Sequence, residues 1–248
     1  MNTHRIVLCS MALLPLMFSP LAHAEEHRTL LFQDDFERNE SQEEKDEIGN
    51  GWGTNSARRA GGNRQVDLKD GAMHIFIHET ADHAVSVTHP AEFTDGVVEL
   101  DFMLPGPKDN LGLNFADLQF KEVHAGHLFV VRISTKSADL IDLKTGNMDL
   151  EIRELRRAKR LSQAQQQMLD TKRARFPLEL KPGKWYRAAV TVRGESLHLA
   201  IDGKTVGTFA SEGIAHPTKR LLRLSVPGRA VVDNVKIFAL NQAETATP

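Results

Sequence analysis

Apolar and polar residues alternate with a period of two through most of the chain, in short runs bounded by turn signals. Over 72–79, Met73, Ile75 and Ile77 fall on one side and His74, Phe76 and His78 on the other; over 196–202, Leu197, Leu199 and Ile201 oppose His198, Ala200 and Asp202. That period is the signature of half-buried strands, whose successive side chains point to opposite faces. Asp70-Gly71 and Asp202-Gly203 are dipeptides that close tight hairpins. Further strands are expected at about 28–36, 84–89, 96–104, 111–120, 126–134, 185–193, 205–210, 220–227 and 230–238. So many short strands at regular spacing predict an all-β antiparallel sandwich of two sheets.

The alternation stops once. From about 149 to 172, Ile152, Leu155, Ala158, Leu161, Ala164 and Met168 recur every three or four residues with no Gly or Pro between them, which predicts one inserted helix ended by Phe176-Pro177. Between Glu151 and Arg175 eight bases stand against three acids, whereas between Glu25 and Glu47 ten acids stand against three bases. Two readings of the basic helix follow: a solvated face that meets the acidic stretch, or a dock for an anionic glycan.

The first residues carry a different message. His4 and Arg5 precede an apolar run from Ile6 to Phe18, and Leu21-Ala22-His23-Ala24 ends in the small-x-small pattern of a signal cleavage site. The run is too short for a membrane span. A signal peptide over 1–24, a single domain over 25–240 and a flexible tail over 241–248 are therefore expected, with a periplasmic or extracellular product not inserted in the membrane. Cys9, the chain's single cysteine, falls inside that signal, so disulfides and thiolate chemistry drop out of the mature protein. Hydrophobic residues at 41%, charged residues at 26% and a net charge of −2 are ordinary globular values and name no partner by themselves. Nucleic acid is not an expected partner.

Lys184-Trp185-Tyr186, the stretch around Ile201-Asp202-Gly203-Lys204 and the closing Asp233-Asn234-Val235-Lys236-Ile237 resemble the last strands of concanavalin A-like lectin/glucanase domains. At the other end Asp34-Asp35-Phe36, Gly51-Trp52 and Asp70-Gly71 are similar to the opening of exported 3-keto-disaccharide hydrolase-like domains, relatives of family 16 glycoside hydrolases. The resemblance spans roughly 30–238 and implies a jelly-roll sandwich that binds or processes carbohydrate. Family 16 glucanases carry E-x-D-x-(x)-E on one strand. Glu99 and Asp101 match its first two acids, but Met103 or Leu104 stands where the acid/base belongs. Retaining hydrolysis needs that second carboxyl, so a paired-carboxylate glucanase is excluded. Glu99 and Asp101, about 7 Å apart on one strand face, are expected to be a solvated or hydrogen-bonded pair.

The densest polar cluster runs from Asn114 to His127. It supplies a candidate base in Asp117 or His124 and candidate ligand contacts in Asn114, Lys121 and His127, since imidazole titrates near neutrality and an ammonium stabilises an enolate. If the resemblance extends to activity, a 3-keto group acidifies the proton at C2, and such a base starts an elimination without paired carboxylates. Trp52, flanked by glycines, is a candidate ligand platform, and the His216 loop (213–219) a candidate rim of the same cleft. No cofactor is expected. No metal is expected either, because His74 and His78 on one strand lie about 13 Å apart. Rival readings are a non-catalytic glycan-binding module and an envelope interaction protein that uses the helical insertion.

Overall fold

The structure, a computed structural model, describes residues 28–241. The expected export signal, its mature terminus at Glu25 and nearly all of the expected tail lie outside these residues. In chain order the elements are β1 (Arg28–Asp34), β2 (Gly53–Thr54), α1 (Ser56–Arg59), β3 (Val66–Lys69), β4 (Ala72–Phe76), β5 (Val85–Phe93), β6 (Gly96–Met103), β7 (Asn110–Ala116), β8 (His127–Ser134) and β9 (Ser137–Asp142). Then come α2 (Leu150–Arg157), α3 (Gln163–Thr171), β10 (Arg173–Pro177), β11 (Trp185–Arg193), β12 (Ser196–Ile201), β13 (Lys204–Ala210), β14 (Lys219–Val226) and β15 (Arg229–Leu240).

Two antiparallel sheets form a jelly-roll sandwich. The first has the order β13-β12-β11-β6-β15-β4-β3 with β1 added alongside β15, and the second β10-β9-β8-β7-β14-β5-β2. Both expected hairpins form: Asp70 and Gly71 sit at φ 53° and 69°, Asp202 and Gly203 at 49° and 73°, the doubly left-handed geometry that matches strand twist. The alternation is realised most plainly in β6, where Val98, Leu100 and Phe102 are fully buried between Glu99, Asp101 and Met103. They meet Leu113, Phe115, Phe129 and Leu222 of the other sheet in one core. Phe115 stacks on Phe129 at 4.8 Å between ring centres.

The inserted helix is corrected to a helical hairpin. α2 ends at Arg157 because Lys159 turns to φ 55°, and Ser162 starts α3 with a full capping box to Gln165. The apolar spacing runs unbroken across this joint, since periodicity does not register a single left-handed residue. Lys172 ends α3, and Phe176-Pro177 closes a strand instead: Arg173 to Pro177 pair with β9. β2, β9 and β10 were not among the expected strands, and β3 was expected only as the first arm of the Asp70-Gly71 hairpin. β9 escapes the alternating pattern because all six of its residues are buried. The strand expected over 111–120 stops at Ala116, where the Asp117 side chain accepts the Gln119 N–H and turns the chain.

The acidic run does not lie on the basic hairpin. Glu40 and Glu43 pair with Arg64, which also takes Asp67, and Asp46 accepts the N–H groups of Gln65 and Val66 at 2.7 and 2.9 Å. α2 instead belongs to the outer face of the seven-stranded sheet, where Met148, just before it, packs on Val130, Ile141 and Leu143.

Candidate functional site

The outer face of that sheet is built by register. Asn114 on β7 stands beside Arg223 on β14 and Val130 on β8, and one step along, Gly112 stands beside Ser225 and Arg132. Arg132 in turn faces Asp139 on β9, whose other neighbour is Arg175 on β10. Leu113, Phe115, Leu222 and Leu224 alternate inward with these residues, so the polar side chains rest on a rigid floor.

At its centre three residues lock together. Asn114 Oδ1 lies 3.1 Å from His127 Nδ1, and Arg223 Nη1 lies 3.0 Å from that Nδ1 and 3.1 Å from Nε2; with the ring proton on Nδ1 facing Asn114, the Nε2 lone pair is the one that accepts from the guanidinium. Arg223 Nη2 also donates to the Ala125 carbonyl at 3.4 Å. Burial, then the Arg223 charge, pushes the His127 imidazole down to about 3, so it stays neutral and orients the guanidinium. Burial lowers Arg223 too. Among the described residues no carboxylate pairs with it.

His124 stands at the rim of this group, 6.5 Å from His127 between ring centres. Its Nε2 is 3.4 Å from Arg153 Nη2 of α2. Burial, followed by the charges of Arg153, Arg157 and Arg223, holds its imidazole below the ordinary range. The loop that presents it is tightly drawn: Ala125 and Gly126 both have positive φ, and a Cβ at Gly126 would collide with the Asp117 carbonyl.

Asn114, His124 and His127 are thus gathered on one surface, and three other expected site residues are not. Asp117 is buried and turned away, with Oδ2 accepting from His216 Nε2 at 3.1 Å and Oδ1 from the Gln119 N–H at 2.8 Å, and Arg220 beside it. Burial raises its carboxyl, but the Gln119 and His216 bonds and the Arg220 charge outweigh it and leave the group below its ordinary value. The 213–219 loop therefore does reach Asp117 through His216, inside the protein rather than at a cleft rim. Lys121 Nζ donates to the Leu118 carbonyl at 2.6 Å. Trp52 is a core residue: 9% exposed, it sits against Phe32, Phe36 and His89 and donates Nε1–H to Asp34 at 2.8 Å. It offers no ring face to a ligand.

Arg223 was not singled out from the sequence, whereas Arg153 belongs to the basic stretch read as a dock for an anionic glycan. The signal for Arg223 was its place in Leu222-Arg223-Leu224, a charge at the solvent-side position of a strand otherwise read for its leucines. Glu99 and Asp101 lie on the other sheet, with Glu99 paired to Arg28 at 2.6 Å and Asp101 to Arg187 at 2.8 and 3.0 Å. Met103 and buried Leu104 follow them. Among the described residues no three His, Cys, Asp or Glu side chains group as metal ligands, and no helix is long and apolar enough to cross a membrane.

A family model described as 3-keto-alpha-glucoside-1,2-lyase-like domain matches residues 40–237. Among solved structures, the laminarinase from Rhodothermus marinus superposes with a TM-score of 0.58 at 12% identity, over 88% of this chain and 100% of that one. The laminarinase from Flavobacterium sp. UMI-01 gives 0.55 at 12% identity over 85% and 100%. The endo-beta-1,3-glucanase from Pyrococcus furiosus gives 0.53 at 14% identity over 88% and 97%. At such identities the likeness is one of fold. No curated protein matches the chain.

Proposed function

The chain belongs to the 3-keto-alpha-glucoside-1,2-lyase-like domain family, and from that premise we propose that it is an exported enzyme that cleaves 3-keto-glycosides by elimination on the outer face of the seven-stranded sheet. The observation that carries this reading is the pairing, on one surface, of a neutral imidazole at His124 with a guanidinium at Arg223 that Asn114 and His127 hold in place. The sheet supplies the acid and base functions that the other face lacks at Met103 and Leu104.

In the proposed reaction the His124 imidazole takes the proton from C2 of the oxidised sugar, whose acidity comes from the neighbouring C3 carbonyl. The electron pair moves into that carbonyl, and the enolate oxygen forms against Arg223. Fixed cationic donors at a developing oxyanion are worth about 10²–10³ in rate. The enolate then reforms the carbonyl, the C1–O bond breaks with its electron pair leaving on the glycosidic oxygen, and the imidazolium returns a proton there. The product is a sugar with a C1=C2 double bond conjugated to the ketone. Asp117 is a positioning residue here, since its bonds to the Gln119 N–H and His216 anchor the loop that carries His124.

The signal-like residues before Glu25 and the absence of any cysteine beyond Cys9 support export. The test is ultraviolet detection of the conjugated enone when the purified protein meets a 3-keto-glycoside. Turnover that His124→Ala abolishes is expected. A wild-type protein that binds glycans without forming enone would make it a non-catalytic module.

A further inference from the structure

Because the acidic N-terminal run is engaged with Arg64 and with backbone N–H groups, it does not answer the bases of the helical hairpin. From Leu155 to Met168 the chain holds four bases, Arg156, Arg157, Lys159 and Arg160, and no acid. Arg157 reaches Glu154 at 3.4 Å. Arg156, Lys159 and Arg160 are exposed and have no ion-pair partner among the described residues. They sit at the turn between α2 and α3, which is held in one shape: Lys159 takes φ 55°, the Arg160 N–H returns to the Leu155 carbonyl at 2.8 Å, and Ser162 caps α3. Only Ile152 of α2 and Leu169 of α3 are buried, so the hairpin carries this basic tip into solvent.

A basic tip alone fits any polyanion, but a second, apolar feature adjoins it. Leu118 is 51% exposed and Leu150 43%, and both belong to the joint between the His124 loop and α2. There Val123 bridges to Asp149, the His124 N–H meets the Met148 carbonyl at 2.8 Å, and Phe120 and Ile152 line one cavity. On α2, Leu150 shares a face with Arg153 and Arg157, three and seven residues on, away from the buried Ile152. Against Lys121 and the five bases from Arg153 to Arg160 stand Glu122, Glu151 and Glu154, so the surface keeps a surplus of positive charge. Exposed leucines set among bases suit an anionic bilayer, where the apolar side chains enter the headgroup boundary and the bases meet the phosphates. An anionic polysaccharide would answer the bases and leave the leucines in water.

We propose that the helical hairpin and the adjoining His124 loop dock the protein on an anionic lipid surface, with Arg156, Lys159 and Arg160 on the headgroups and Leu118 and Leu150 at the apolar boundary. α2 lies along that surface, its eight residues spanning about 12 Å between the leucines at one end and the basic tip at the other. The contact is peripheral and uses no membrane-spanning helix. It begins where Arg153 meets His124, so it holds the groove around His124 and Arg223 beside the membrane. The inference does not rest on the elimination chemistry.

Co-sedimentation of the purified protein with vesicles of phosphatidylcholine, with and without phosphatidylglycerol, tests it. Wild type is expected to bind the anionic vesicles about tenfold or more tighter than the neutral ones at low salt, and to lose most of that advantage in about 0.5 M salt, where screening is severe. The Arg156→Gln/Lys159→Gln/Arg160→Gln variant should bind the anionic vesicles about fivefold more weakly for each charge removed. Leu118→Ser/Leu150→Ser should weaken the same binding about tenfold with the charge unchanged. Both variants should keep the wild-type melting temperature. Wild type that ignores the anionic lipid overturns the proposal, and so does vesicle binding that survives the leucine changes. Retention on a sulfated-polysaccharide column that only the triple variant loses, without vesicle binding, also overturns it and makes the tip a glycan dock. Failure of the elimination shows separately, as absent enone with vesicle binding intact.

Discussion

The two outer faces of this sandwich both carry arginines and use them differently. On the eight-stranded sheet Arg187 forks onto Asp101, which Asn234 also bonds at 3.1 Å, and Arg28 takes Glu99 and lies over the Phe238 ring. Both of these arginines find a carboxylate, although Asp233 on the same sheet has no cationic partner among the described residues and is held above its ordinary range by burial and by the neighbouring Asp101. On the seven-stranded sheet Arg223 is answered by a neutral imidazole and a carbonyl. The first arrangement supplies its own counter-charges, and the second leaves Arg223 without one, which is where the proposed ligand is placed. A resemblance to glucanases directs attention to Glu99 and Asp101, yet both are held in ion pairs.

The comparison breaks most sharply at Arg223. Arg223→Gln is expected to lower turnover of 3-keto-glycosides by about 10²-fold or more, the cost of losing one oxyanion donor. Its melting temperature should hold or rise, because an unpaired charge has left a buried position. A paired arginine removed from the same depth would do the reverse. Calorimetric melting beside a kinetic assay reads both, and a variant that unfolds with activity per folded molecule unchanged would mean Arg223 is structural.

Acid separates the faces next. His127 has its imidazole pushed down to about 3 by burial and by Arg223, against an unfolded value near 6.5. The folded state therefore binds fewer protons than the unfolded chain between these limits. Its contribution is complete above about pH 6.5 and is lost progressively as pH falls toward 3, on the order of a few kcal/mol. His89, His124 and His216 are shifted the same way, each chiefly by burial. Thermal melts of wild type from pH 7 to 4 should fall steeply, and His127→Gln should flatten that fall. An acid limb unchanged in the variant would remove His127 from the account.

Trp52 marks the border between a ligand surface and the core. Trp52→Phe keeps the ring but deletes the Nε1–H that Asp34 accepts at 2.8 Å. Asp34 retains Arg38, Asn50 and the Phe36 N–H, so the loss should be about 1–2 kcal/mol of stability, with glycan affinity untouched. Weakened glycan binding at unchanged stability would return the indole to the ligand surface.

How far the sequence carries depends on whether a property is local. Strand alternation and the Asp-Gly hairpins are written in neighbouring residues, and the sandwich was legible from them, whereas the turn at Asp117 lay inside a stretch expected as strand. Three of the expected site residues, Asn114, His124 and His127, come together because one strand, its loop and the next strand carry them. Arg223 could not be assigned, because its meeting with His127 depends on β14 lying beside β7, a crossover that no local pattern encodes. Trp52 was misplaced for a related reason: flanking glycines suggest an open loop, but the distant Asp34 and His89 enclose the indole. The joint at Lys159 is a matter of one residue's φ, invisible to a stripe averaged over four turns.

The smallest effect is expected where the comparison predicts almost none. Arg187→Ala removes the fork to Asp101 on the eight-stranded sheet, a pair whose arginine is 63% exposed in its side chain. Solvent screens such a pair, and ordering the long side chain offsets part of the attraction, so its loss should cost less than about 1 kcal/mol. Asp101 keeps the Asn234 amide at 3.1 Å and remains solvated. Turnover and glycan binding should match wild type, since the whole thickness of the core separates Arg187 from His124 and Arg223. A clear loss of glycan affinity in Arg187→Ala, with the melting temperature within a degree or two of wild type, would place a ligand on the eight-stranded face, where Trp185 stands 42% exposed beside Asp101, Asp202 and Asp233. It would thereby reverse the assignment of the two faces.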